Sequence, residues 1–263
     1  MWIPAQRSEF DERGFVRLRH VFSRAEAAAM EERLWASLNR KHGVRRDDPS
    51  SWKIPLGAGL RPLRTHAVFR PIGGPAVLGA LDELIGEGRW QEPKHWGQFL
   101  VSFPVAEGDF SRSNWHTDFP YFLPRDRVVG ALVFSFVGEV PSGTGGTLVI
   151  AGSHKVVGRF VGANPHLRKV KMKVARQALM NSDPWLKALG AEADEEGWVG
   201  RFMAREHAIA DIPVRVVELT GEPGDVVIGH PWLLHTPSPN RGDRPRFMRV
   251  QRIRPAEQAL PPQ

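Results

Sequence analysis

From Gln98 onward the chain is written in short β-rich runs, and this pattern constrains the fold more than any other feature. The runs are Gln98–Phe103, Val128–Val137, Thr147–Ala151, Val214–Leu219, Asp225–Ile228 and Phe247–Ile253. Each is four to ten residues long and is bounded by proline or glycine, as strands are. Helices do not alternate with them, so a parallel α/β sheet is disfavoured and a sandwich or jelly roll is favoured. Residues 155–212 interrupt the pattern. Within them Val174–Met180 and Pro184–Leu189 read as helical, so the segment is an insertion between core strands, or a lid.

The N-terminal third reads differently. Phe10–Leu18 is read as a lead-in strand. Ser23 then stands as an N-cap with Glu26 three residues on, a capping box. The helix it opens runs to about Arg40, with Met30, Leu34 and Leu38 on its buried edge and Gly43 as its stop. Residues 44–74 read as irregular loop, and Pro75–Ile85 as a second amphipathic helix. No domain-splitting linker or repeat interrupts residues 1–263, and 263 residues suffice for one large core. Pro255–Gln263 reads as a loose tail.

Composition removes several function classes. The chain has no cysteine, so disulfides, thiolate metal sites and a cysteine nucleophile are excluded. It contains no apolar run of membrane-spanning length and begins without a secretory pattern, so a cytoplasmic location is expected. The formal charge is +7. Seven basic residues and no acidic one fall between Lys155 and Arg176. A solvated face is the favoured reading, with Glu192–Glu196 following close behind to pair with it; a lid that attracts an anionic or carrier-linked substrate is the functional reading. Charge gathered in one segment is not the groove that nucleic acid needs, so a nucleic-acid substrate ranks lower.

Trp115-His116-Thr117-Asp118 carries the chemistry. On a strand, side chains two apart share a face, so His116 and Asp118 offer an imidazole and a carboxylate to one metal. His235, expected to be delivered by the buried run that begins at Gly224-Asp225, would complete a 2-His-1-carboxylate triad, the ligand set of non-haem Fe(II) oxygenases. Arg246, eleven residues later, would be costly inside a barrel unless it met an anion. Its planar fork suits a carboxylate, such as the far end of a dicarboxylate cosubstrate. Nearby Arg241, Arg244 and Arg249 are read as exposed, His230 as structural, and His154 as a turn residue that holds backbone.

These residues resemble the phytanoyl-CoA dioxygenase-like family of Fe(II)/2-oxoglutarate-dependent oxygenases. The likeness rests on Gly14-Phe15-Val16, on Trp115 to Asp118, on Gly145 to Lys155, and on Gly224-Asp225, His230-Pro231, His235, Pro239-Asn240 and Arg246 in order. Two positions depart from the family pattern. Ala151 stands where proline is common, and Pro237 stands where a small hydroxyl residue is common, with Thr236 and Ser238 as substitutes. The resemblance implies a mainly β fold with flanking helices, a double-stranded β-helix of cupin-like form. It implies iron on His116, Asp118 and His235, and 2-oxoglutarate on Arg246 with Gln98 close by. It also implies oxidation of a small-molecule C–H bond, usually hydroxylation, with release of succinate and carbon dioxide. Related halogenases have a small residue at the Asp118 position, so its carboxylate favours oxygen insertion. A nucleic-acid oxygenase and a non-catalytic cupin-like binding protein are the competing readings. Neither the substrate nor the oligomeric state follows from the sequence.

Overall fold

The computed structural model describes residues 2–53, 59–105, 114–190 and 195–256. It opens with helix α1, Pro4–Arg13, where a strand was expected from Phe10. Proline in the first turn starts α1, and Gly14 at φ 81° stops it. Phe10, the one buried residue of α1, supplied the apolar signal that read as strand. Strand β1 is therefore only Phe15–Leu18.

Helix α2, Arg24–His42, begins with the predicted capping box. The Ser23 Oγ accepts from the Glu26 amide at 3.2 Å, and the Ser23 amide donates to the Glu26 carboxylate at 2.7 Å. Gly43 ends it at φ 68°. Helix α3 spans Pro75–Ile85, as predicted. Between them the expected loop contains three 3-10 turns, Pro49–Ser51, Arg61–Thr65 and Ala67–Gly73. Proline limits each to about one or two turns, yet they bury Leu63, Phe69 and Ile72.

The remaining strands are β2 (Gln98–Ser102), β3 (Ala131–Phe136), β4 (Leu148–Ala151), β5 (His207–Ile209), β6 (Ile212–Glu218), β7 (Val226–Gly229), β8 (His235–Thr236) and β9 (Arg246–Ile253). They form two antiparallel sheets, of order β1-β7-β3-β9-β2 and β5-β6-β4-β8. The chain changes sheet four times. The chain crosses from β3 to β4, returns at β7, crosses to β8 and returns again at β9. Two strands, β5 and β8, are absent from the sequence reading, being three and two residues long.

Two apolar cores sandwich the larger sheet. One draws on both sheets, through Leu132, Phe134, Leu148, Val216 and Met248. The other fills the space between the larger sheet and α2 and α3, through Val133, Ile228, Phe247, Met30 and Leu81. Every residue of β3 is buried because both its faces are covered, which explains its unbroken apolar run. Between β4 and β6 lie helices α4 (Ser153–Ala163), α5 (Met172–Asn181), α6 (Pro184–Ala188) and α7 (Glu195–Phe202). They send Val157, Leu179, Trp185 and Trp198 into the first core. Strand β5 falls within the tail of the expected insertion and pairs with β6. The basic run on α4 and α5 stays solvated: Lys155, Arg159, Arg168, Lys169, Lys171 and Lys173 are exposed. Residues 191–194 and 257–263, within the acidic partner segment and the tail, lie outside the described residues, but Ala256 is tied by its amide to the Arg89 carbonyl at 2.9 Å. Among the described residues no helix is long and apolar enough to cross a membrane.

Gly97 admits β2 to the sheet edge. Its φ is +112°, and a Cβ there would sit 2.5 Å from the Val250 carbonyl oxygen. Gly97→Ala is expected to lower unfolding free energy by about 1–3 kcal/mol, read from urea denaturation. A second handle on stability is His154, which lies against Gly14 and the His230 ring, 4.9 Å away. Burial pushes its pKa down to about 4, so it is neutral in the folded protein. The unfolded chain takes up that proton first, near pH 6.5. Stability from this residue is therefore full above about pH 6.5 and falls as pH drops towards about 4. His154→Gln is expected to flatten that decline in urea midpoints measured across the interval.

Candidate metal centre

His116, Asp118 and His235 lie together, the first two at the period-2 spacing read from the sequence. The Nε2 atoms of His116 and His235 each lie 3.7 Å from an oxygen of Asp118, on Oδ1 and Oδ2 respectively. The three donor atoms lie within 4.8 Å of one another. The route to this arrangement differs from expectation. His116 is not in a continuous strand; it meets His235 through an isolated antiparallel bridge, with each amide bonded to the other's carbonyl at 3.0 Å. Nor does β7 deliver His235. That strand belongs to the larger sheet, while His235 lies on β8 beside Val149 of β4 in the smaller one. The metal site is thus built where the chain crosses between sheets.

Both rings are oriented by their own backbone. His116 Nδ1 is 2.8 Å from the Asn114 carbonyl, and His235 Nδ1 is 3.0 Å from the Leu233 carbonyl. A carbonyl can only accept, so each Nδ1 carries the proton and each Nε2 presents a lone pair. Burial, then the neighbouring His116, holds the His235 pKa down to about 4. Its ring is therefore neutral and ligand-competent at neutral pH. Two imidazole nitrogens and one carboxylate form a donor set that suits iron with coordination positions to spare.

Strand β9 brings in the cations. Its residues alternate between faces. Met248 lies in the core between the sheets, so Arg246, Val250 and Arg252 share that inner face. Phe247 and Ile253 lie in the outer core, so Arg249 faces outward into it. Arg246 is 5% exposed, and its Nε and Nη1 have no partner. Burial lowers its pKa to about 10, which leaves it charged. A buried guanidinium with orphaned N–H groups costs free energy unless an anion meets it, so this cradle fits a carboxylate.

Arg249 corrects the expectation of an exposed residue. It is wholly buried: its Nη2 donates to the carbonyls of Gly97 and Arg64 at 2.6 and 3.1 Å. Its guanidinium stacks over Phe69 and Phe99, 4.5 and 4.4 Å from the ring centroids. Gln98 sits opposite Val250 and so shares the inner face, but Ser102, not Gln98, is opposite Arg246. The Gln98 Oε1 accepts from Arg64 Nη2 at 3.1 Å. Of the hydroxyls considered as substitutes beside Pro237, Ser238 donates to the Gly146 carbonyl at 2.6 Å, while the buried Thr236 Oγ1 has no partner. His230 accepts the Trp232 amide at 3.0 Å, and His154 contacts the Asp11 carbonyl at 3.2 Å, so both are structural.

Arg252 is the residue that sequence reasoning missed. Its Nη2 lies 2.6 Å from Asp118 Oδ1, so it touches the carboxylate of the triad directly. The signal was present: six residues separate it from Arg246, an even number that puts both on one face of a strand.

The fold has counterparts among solved structures. HygX from Streptomyces hygroscopicus, solved with nickel and 2-oxoglutarate bound, superposes with a TM-score of 0.54 at 13% identity, over 98% of this chain and 88% of that one. EvdO2 from Micromonospora carbonacea var. aurantiaca, complexed with 2-oxoglutarate, gives a TM-score of 0.51 at 18% identity, over 100% of this chain and 95% of that one. The non-heme monooxygenase ThoJ, as its nickel complex, gives 0.53 at 17% identity, over 94% and 76%. At these identities the likeness is one of fold. No curated protein matches the chain in sequence. The sequence profile of the phytanoyl-CoA dioxygenase (PhyH) family matches residues 10–248, and the chain belongs to that family.

Proposed function

We propose that this protein is an Fe(II)/2-oxoglutarate-dependent dioxygenase that oxidises a C–H bond of a small-molecule substrate, on a single double-stranded β-helix domain with 155–212 as its insertion. The observation that carries this reading is the triad's three donor atoms within 4.8 Å, on the same inner face as a buried arginine with two unpartnered nitrogens. Family membership and the cosubstrate bound in HygX and EvdO2 support it.

In this reading His116, Asp118 and His235 hold the iron and Arg246 pairs with the far carboxylate of 2-oxoglutarate. When bound, the iron couples oxidative decarboxylation of 2-oxoglutarate, to succinate and carbon dioxide, to oxidation of the substrate by dioxygen. The chain's own work is orientation. The Asn114 and Leu233 carbonyls keep both Nε2 lone pairs turned inward. Phe134, 5.8 Å from the His235 ring, and Trp115, 2% exposed, keep water from the buried side. Asp118 occupies with its carboxylate the ligand position that a halide would need. Hydroxylation is the default outcome, and the same ligands serve desaturation, epoxidation or ring formation.

His116→Ala and Asp118→Ala are each expected to abolish Fe(II)-dependent formation of succinate from 2-oxoglutarate. Unchanged succinate yield in both variants would sink the assignment. Arg246→Gln is expected to raise the KM for 2-oxoglutarate about 10- to 100-fold, the worth of a hydrogen bond to a charged group. Circular dichroism of that variant should match the parent, since two of the guanidinium's nitrogens, Nε and Nη1, have no hydrogen-bond partner to lose within the described residues.

A further inference from the structure

At the Asp118 end of β9 the inner face opens into a cavity of about 380 Å3, lined among others by Arg64, Lys94, His95, Gln98, Arg252 and Arg254. Among the described residues Glu92 is the only carboxylate on its wall, against four permanent cations. No carboxylate of the described residues lies within ion-pair distance of Arg64, Lys94 or Arg254. The Arg64 Nε is buried without a partner. A second cavity of about 330 Å3 shares Arg64, Lys94 and His95 and adds Arg70, so the positive wall continues.

Surface lysines and arginines ordinarily splay into water, where solvent screens them. Here they converge on a concavity, where low-dielectric walls focus the field and mutual repulsion favours an entering anion. His95 reports that field. Its pKa is lowered, first by burial and then by Arg249 and Arg64. Arg252 joins the cavity to the triad. One of its nitrogens is engaged by Asp118 Oδ1, and a guanidinium has five N–H donors, so others remain for a ligand.

We propose that this cavity seats an anionic group of the substrate, a carboxylate or a phosphate, and thereby holds the neighbouring carbon beside the metal triad. The proposal rests on the oxygenase reading for its metal. The cavity's size suits part of a small molecule and not a polymer. Arg252 acts as a positioning residue: it fixes the Asp118 carboxylate and the substrate's anion from one guanidinium.

The test titrates inorganic phosphate, and separately butyrate, into metal-free protein and into protein loaded with Mn(II) and 2-oxoglutarate. Thermal shift and the His95 NMR signals are the readouts. At least one anion is expected to bind in both states, and the double variant Lys94→Glu/Arg254→Glu to weaken it about tenfold or more. Both residues are exposed, and the single variant Arg254→Glu gives an intermediate check on folding and affinity. Binding of phosphate alone identifies a phosphoryl substrate; binding of butyrate alone identifies a carboxylate. Failure of both anions to bind, equal binding in the double variant, or displacement by 2-oxoglutarate overturns the proposal. Because the metal-free arm needs no iron, anion binding that persists without any iron-dependent succinate would defeat the oxygenase reading and leave the anion site intact.

Discussion

The two-faced alternation of β9 governs this structure. One strand carries three guanidiniums, and burial of an unpaired charge costs several kcal/mol. Arg249, on the outer face, donates from its Nη2 to two carbonyls and lies over two aromatic rings, although its Nε and Nη1 have no hydrogen-bond partner. Arg246 and Arg252, on the inner face, are placed at either end of the same row, one buried with two unpartnered nitrogens and one against the Asp118 carboxylate. One residue of register decides which of the two cores an arginine of this strand enters. Shifting β9 by one would send Arg249 to the inner face and Arg246 and Arg252 towards the helices.

Pairing on both sides fixes that register. β9 lies between β3 and β2, with Met248 opposite both Phe136 and Leu100. The Arg249 bonds to Gly97 and Arg64 tie the strand to the start of β2 and to the Arg61–Thr65 turn. The basic cavity is built from these same neighbours. The outer core therefore supports the geometry of the inner face from the opposite side of the sheet.

Much of this was legible in the sequence where the cause is local. The Ser23–Glu26 box, the Gly43 stop and the Pro75–Ile85 stripe are short-range signals, and the structure places each where it was read. The strand runs from Gln98 to Ile253 were found to within a few residues because proline and glycine bound them. His116 and Asp118 were paired by period-2 spacing, although they share a face without belonging to a strand. What escaped depends on partners far along the chain. Helix α1 buries only Phe10, too little for a helical stripe. Strand β8 is two residues long, and nothing local tells that it leaves the sheet of β7. Arg249 looked like a surface residue because its acceptors are backbone carbonyls 152 and 185 positions away, which carry no side-chain signature.

The two imidazoles are steered by carbonyls just two positions back along the chain, at 2.8 and 3.0 Å. A ring held by its own peptide group needs no cation to find its pose. Demetallation should thus leave the polypeptide folded and the vacant ligand set still aimed, so reloading proceeds without a refolding step. Discrimination among divalent ions then falls to a rigid, preset geometry and to cellular supply, in contrast to small zinc domains, whose architecture exists only once the ion arrives.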